Sequence, residues 1–122
     1  APTVLNAGVL NIVHWRGDRD SLEDQVAKAV TSPITSGQPD EKAVIDRLSR
    51  VTGYAPLFAA AFPREPQPAI VQNIAQAISA YERTLLTPSP FDAYLSGNQE
   101  AMPPAARAGL AKFINTGCVA CH

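Results

Sequence analysis

The chain has 122 residues, enough to bury one hydrophobic core and form one domain. Ten basic and eleven acidic residues leave a formal net charge of −1, so no basic field is available to hold nucleic acid. No apolar run approaches the ~20 residues needed to span a bilayer, and eleven prolines punctuate a chain whose periodicity is otherwise helical.

Residues Ala1 to Arg19 show no steady helical period, because Pro2, Gly8 and Gly17 break it. The expectation is an extended, ordered loop with one short turn. It carries His14 and the single tryptophan, Trp15, whose plainest reading on residues alone is a packed loop anchor. Ser21-Leu22-Glu23-Asp24 is similar to a capping box, with Asp in place of the usual Glu or Gln. The helix it starts runs to about Val30, with Leu22, Val26, Ala29 and Val30 on one face. Pro33 and Gly37 should end it.

A second helix is expected from Pro39-Asp40, striped by Val44, Ile45, Leu48 and Val51 and stopped at Gly53. A short piece follows, Ala55 to Phe62, ended by Pro63. The longest helix should run from Pro68 to about Thr87, with Ile74, Ile78, Tyr81 and Leu85 buried along its inward stripe. At ~1.5 Å per residue it would span about 30 Å and act as the scaffold. Phe91 to Leu95 reads as one more turn of helix. The final helix, Pro103 to Asn115, should turn Ala106, Leu110, Phe113 and Ile114 inward, and Gly117 frees the chain to turn. No alternating run is long enough for a strand. The fold class is therefore all-α.

The chain closes on Cys118-Val119-Ala120-Cys121-His122. This C-x-x-C-H run is the attachment signature of a c-type haem. Two thiols on one turn can each form a thioether to a haem vinyl group, and the next histidine offers its imidazole as an axial iron ligand. A thioredoxin-like redox dithiol would want a preceding strand in a βαβ setting, whereas a helical pattern precedes this motif. Met102 lies ahead of the motif beside two prolines, which makes it a packing residue rather than an axial ligand. The sequence starts without methionine or signal peptide and stops on the haem ligand. The expectation is a fragment, with both thiols free when no haem is attached.

Several stretches together resemble one family. In order they are Pro2-Thr3-Val4-Leu5-Asn6-Ala7, Trp15-Arg16-Gly17, Ser21-Leu22-Glu23-Asp24-Gln25, Ala80-Tyr81-Glu82-Arg83-Thr84-Leu85, Thr87-Pro88-Ser89, Phe91-Asp92 with Tyr94-Leu95 and Gly97, Gly109-Leu110, and Gly117 to His122. Each is weak alone; their order and spacing resemble the bacterial di-haem cytochrome c peroxidases, including the MauG-type enzymes, over nearly the whole chain.

The resemblance implies a cytochrome c-like helical fragment lying between two haem-c motifs. Residues 1–101 would belong to the N-terminal, peroxidatic domain, and 102–122 would open the C-terminal domain. Cys118 and Cys121 would hold the electron-transfer haem covalently, with His122 as its axial ligand. A second haem c would come from the preceding part of the chain, and the family pattern allows calcium in the full-length protein. Trp15 matches the family tryptophan that relays electrons between the haems, and Gln25 matches a pocket glutamine. The implied activity is periplasmic reduction of hydrogen peroxide, with electrons from a small cytochrome c or copper protein, by a chain with no membrane span that could form a homodimer. The alternative is a di-haem electron-transfer or MauG-like protein without ordinary peroxidase activity.

Two departures bear on that choice. The family carries a glutamate ten residues beyond the glutamine; here Ser32-Pro33-Ile34-Thr35-Ser36-Gly37 puts Thr35 there. A threonine hydroxyl has no pKa near neutrality with which to shuttle a proton. The sequence also reads Trp15-Arg16-Gly17-Asp18 where family members have Trp-Asp-Gly-Arg, exchanging the two charges.

Overall fold

The computed structural model describes residues 2–64 and 70–122, in two compact units, Ala1–Leu86 and Thr87–His122. Among the described residues there is no strand, only one isolated antiparallel bridge between Val13 and Arg19. The all-α expectation is met.

The first unit is organised by two helices. Helix α1 spans Leu22–Thr31 and α5 spans Val71–Glu82, and among the described residues they form the most extensive helix pair. α1 begins because the Ser21 hydroxyl accepts the Asp24 backbone N–H, 3.1 Å away, which satisfies one orphan donor. Leu22 and Val26 are buried on α1, and Val71, Ile74, Ala75 and Ser79 on α5. Small side chains at Ala75 and Ser79 allow α5 a close neighbour. At the end of α5, Arg83 makes a two-pronged ion pair with Glu23 of α1, at 2.7 and 3.1 Å.

The N-terminal segment is irregular, as expected, with a single 3-10 turn at Ala7–Val9. It docks on the end of α5, where Asn6 donates its backbone N–H to the Leu85 carbonyl at 2.9 Å. Gly8 is required there: a Cβ at this position would lie 2.9 Å from the Arg83 Cα. Ala7, Val13 and Leu22 form a buried cluster that ties this segment to the start of α1.

Between α1 and α5 lie α2 (Pro33–Ser36), α3 (Glu41–Ser49) and α4 (Tyr54–Ala61). The structure corrects three expectations here. Pro33 does not simply end a helix; it opens the single turn α2 from its first position, where a missing N–H costs nothing. Gly37, at φ +68°, closes that turn. Gly53 is not a left-handed stop but precedes α4 with φ −70°, and Val51 is exposed.

The largest correction concerns α5. Its start was expected at Pro68, which lies outside the described residues. The helix ends at Glu82 rather than near Thr87, because Arg83, Thr84 and Leu85 turn through short-range bonds back to Ser79, Tyr81 and Glu82. The helix as described therefore spans about 18 Å rather than 30 Å. The expected inward stripe also divides. Ile74 is 4 % exposed, but Ile78 is 37 % and Tyr81 65 % exposed, and Leu85 is only half-buried. The most deeply buried positions of α5 are Ala75 and Ser79, whereas Ile78 and Tyr81 line an open groove.

In the second unit, α6 spans Pro90–Leu95 and α7 spans Pro104–Asn115. α6 has a complete capping box, Ser89 and Asp92 bonding reciprocally. Met102 is buried. The expected inward residues of α7 are not: Ala106, Phe113 and Ile114 are exposed and Leu110 is half-buried. A segment this short has no opposing layer of its own to cover them, since below roughly 40 residues a chain rarely builds a self-sufficient core.

Two stability predictions follow from the α1–α5 pair. Ile74→Ala should cost on the order of 2–5 kcal/mol, and Ile78→Ala clearly less, measured by chemical unfolding of each variant. The second concerns Glu82, whose pKa is raised above its ordinary 4.5, first by burial and then by Glu23, with Arg83 opposing; its Oε2 is buried without a partner. A raised folded pKa means that the folded state binds more protons, so this group's contribution improves as pH falls from neutrality toward the unfolded value. Glu82→Gln should therefore raise the melting temperature at neutral pH, and the gain should shrink as pH approaches about 4.5. Glu23 has the opposite sign. The Arg83 bonds lower its pKa, so its stabilisation is present above 4.5 and lost as pH falls through the lowered value.

Candidate functional site

The haem-attachment motif is set by how α7 ends. Thr116 donates its backbone N–H to Lys112 O at 2.9 Å, and its hydroxyl donates to the same carbonyl at 2.7 Å. Gly117 then takes φ +84°, the left-handed conformation that glycine adopts without strain after a helix. This swings the chain into a 3-10 turn, Cys118–Ala120. Cys121 and His122 both donate backbone N–H groups to the Cys118 carbonyl, at 3.2 and 3.1 Å, so all three motif side chains issue from one tight turn.

Both cysteines are free and exposed, as the sequence led one to expect. The Cys118 sulfur lies 3.3 Å from the Thr116 hydroxyl. The His122 ring is exposed and lies 6.5 Å from the Phe113 ring, tilted by 59°. Two unbonded thiols on one turn and an accessible imidazole beside them are the donor set of a covalent haem. The residues present fit that group.

The other candidate residues lie in the first unit. Trp15 is the second residue of a tight turn closed by the Gly17 N–H bonding to His14 O at 3.1 Å, inside the loop that the Val13–Arg19 bridge shuts. Its side chain is 86 % exposed. This overturns the packed-anchor expectation: the buried anchor of the segment is Val13, and the indole projects outward. His14 sits at φ +74°, a region a non-glycine residue seldom occupies. Asp18 joins both neighbours of the indole, contacting His14 Nδ1 through one carboxylate oxygen and accepting from Arg16 through the other at 2.9 Å. The exchanged charges of Arg16 and Asp18 therefore still form a local pair.

Gln25 is half-buried in the first part of α1. Thr35, exposed on α2, donates its hydroxyl to the Ala29 carbonyl and lies 3.3 Å from the Ser32 carbonyl. Ala29 is one turn beyond Gln25 on α1, so the Thr35 hydroxyl bonds to the α1 backbone one turn from Gln25. Among the described residues, no hydrogen bond or ring contact joins Trp15 to either.

One feature went unread in the sequence. α1, α3, α4 and α5 enclose an open cavity of about 590 Å³ whose walls include Val30, Val44, Leu48, Phe58 and Ile78. Along its α4 wall, Tyr54 and Phe58 meet edge to face at 6.2 Å and Phe58 and Phe62 stack at 5.8 Å. The signal was present: α4 reads Tyr-Ala-Pro-Leu-Phe-Ala-Ala-Ala without one charged residue, and the apolar stripe of α5 is wider than one partner helix can cover.

The comparisons with known proteins agree with this geometry. The family model described as di-haem cytochrome c peroxidase matches residues 1–100. Cytochrome c551 peroxidase of Pseudomonas aeruginosa is 36 % identical over the whole chain, which covers 35 % of that protein. The methylamine utilization protein MauG of Methylorubrum extorquens is 37 % identical over 99 % of the chain and 34 % of its own length. Cytochrome c peroxidase Ccp of Escherichia coli is 32 % identical over the whole chain and 26 % of its own length. The chain thus spans about a third or less of these relatives. With the C-x-x-C-H turn in place at its end, the chain belongs to the di-haem cytochrome c peroxidase family.

Proposed function

We propose that this chain is the stretch between the two haems of a periplasmic di-haem oxidoreductase that reduces hydrogen peroxide with electrons from a small redox protein. The observation that carries the reading is the turn presenting two free thiols and an imidazole, in a chain of this family. The overall reaction takes hydrogen peroxide, two protons and two electrons to two molecules of water. A haem c bound at Cys118 and Cys121 supplies reversible one-electron chemistry at its iron.

The chain's own residues do the rest. Cys118 and Cys121 anchor the group by two thioethers, and His122 offers an imidazole nitrogen to the iron. Trp15 presents an indole at a turn tip, where it serves as the electron relay. Gln25 lines the peroxide side as a polar positioning group. Residues 1–101 belong to the peroxidatic domain, and 102–122 open the electron-transfer domain. The family's second haem is attached to the preceding part of the full-length protein. Two relatives are named for a cytochrome c551, which supports a small cytochrome as donor.

A second reading is favoured by one specific observation. The Thr35 hydroxyl is already donated to backbone carbonyls, so it orders α2 against α1 and is not poised to exchange protons. The nearest carboxylates on α1 do not replace it: Glu23 is held ionised by its bonds from Arg83, and Asp24 pairs with Arg19 at 3.4 Å. Without a proton shuttle, haem-to-haem electron transfer survives while peroxide cleavage slows. This is the di-haem electron-transfer or MauG-like alternative, in which the oxidising power is directed at a protein partner.

Two measurements test these readings. In the full-length protein, Cys118→Ala or Cys121→Ala should remove one of the thioether links at this site and His122→Ala should alter the haem spectrum, followed by mass analysis of the peptide carrying residues 118–122 and by absorption. General acid–base help is typically worth about 10²- to 10⁴-fold. Peroxide turnover should accordingly be slow, and Thr35→Glu should raise it with unchanged haem spectra. Fast turnover indifferent to Thr35→Glu would show that another group moves the proton.

A further inference from the structure

The end of α7 touches two of the three side chains that make up the haem motif. Thr116 places its hydroxyl oxygen 3.3 Å from the Cys118 sulfur. Phe113, one turn earlier and so on the same side of the helix, places its ring centroid 6.5 Å from that of His122, with the two planes tilted by 59°. The reversal of the chain makes this second contact. Gly117 at φ +84° leaves the helix direction, and the His122 backbone N–H then returns to the Cys118 carbonyl at 3.1 Å. His122 thereby comes back beside the helix that the chain has just left.

The contact bears on a property that the motif itself leaves open. Cys118 and Cys121 decide where a haem c is attached, and His122 offers an imidazole nitrogen. Neither sets the angle at which the imidazole plane stands. The rotation of a ligating histidine is set by contacts to the rest of its ring, and here the ring meets Phe113. A ligating imidazole is neutral, so the pair is one aromatic ring on another. Its separation lies inside the range of such pairs, roughly 4.5–7 Å, and its tilt is nearer edge-to-face than stacked. In that arrangement the positive edge of one ring meets the negative face of the other, a directional preference that an aliphatic side chain lacks. We propose that Phe113 is a positioning residue of the haem site: its ring braces the His122 imidazole and selects one rotation of its plane. The brace rests on the reading of His122 as the axial ligand given above. Phe113 itself carries no electron and no proton.

The test uses the oxidised full-length protein with its haems in place. It reads the proton NMR shifts of the haem methyl groups, which the unpaired spin of low-spin ferric iron displaces by amounts that depend on the angle of the axial imidazole plane. The set belonging to this haem is the one that Cys118→Ala moves. Phe113→Leu, which keeps the apolar bulk and loses the ring, should narrow the spread of that set. The ratio of held to turned imidazole should fall roughly 2- to 12-fold, the range that an aromatic pair contributes. Phe113→Tyr, which keeps the ring, should preserve the spread. Leu110→Ala, which takes an apolar side chain from the same helix but no ring from the imidazole, should preserve it too. A spread unchanged in Phe113→Leu, or narrowed as much in Phe113→Tyr or Leu110→Ala, would overturn the brace. Methyl shifts unmoved in His122→Ala would instead overturn the reading of His122 as the axial ligand, and with it the role given to Phe113.

Discussion

The contact of α1 with α5 determines most of what the first unit can present. Glu23 and Arg83 fasten its end with two bonds, and fully buried Ser79 allows α5 a close neighbour. The same helix end receives the N-terminal segment, which can approach only because Gly8 has no Cβ to strike Arg83. Val13 and Leu22 share a buried cluster, so the loop that raises Trp15 is anchored to the helix that carries Gln25. Loosening this pair would therefore displace Trp15 and Gln25 together. An exposed pair such as Glu23–Arg83 is modest in energy, and its importance lies in register rather than strength.

The second constraint is apolar surface left without cover. Ile78, Tyr81 and the aromatic edge of α4 face the open cavity, and Phe113, Ile114 and Val119 are exposed around the haem motif. Soluble proteins seldom leave such patches bare. A chain that spans about a third of its relatives and has two haems to accommodate in its family would be expected to show such faces.

Much of this was legible in the residues, for reasons that can be named. The helices of Leu22–Thr31 and Glu41–Ser49 were readable because Ser21 and Asp40 cap them and their stripes have one period. The haem motif was readable because two cysteines three residues apart with a histidine directly after them match the attachment signature of a c-type haem. The burial of Ile78 and Tyr81 was misjudged because periodicity reports an apolar face, not what covers it, and here Ala75 and Ser79 are the buried positions while Ile78 and Tyr81 line an open cavity. The length of α5 was overestimated because nothing local announced the turn at Arg83. The orientation of Trp15 was not legible at all: an indole looks the same in sequence whether it anchors a loop or projects from one. The contacts of Asp18 with His14 and Arg16 required three side chains to be placed together, and their trace in the sequence was the exchange of charges at Arg16 and Asp18.

The turn at Cys118–His122 presents the donor set of a haem c, and Thr35 has given its hydroxyl to the Ala29 carbonyl of α1. The central claim is the two-haem electron path. It is tested most directly by a redox titration of the full-length protein combined with a haem count per polypeptide. The account predicts two covalently bound c-type haems that titrate as two separate one-electron steps. A single haem, or none at the Cys118–His122 turn, would contradict it.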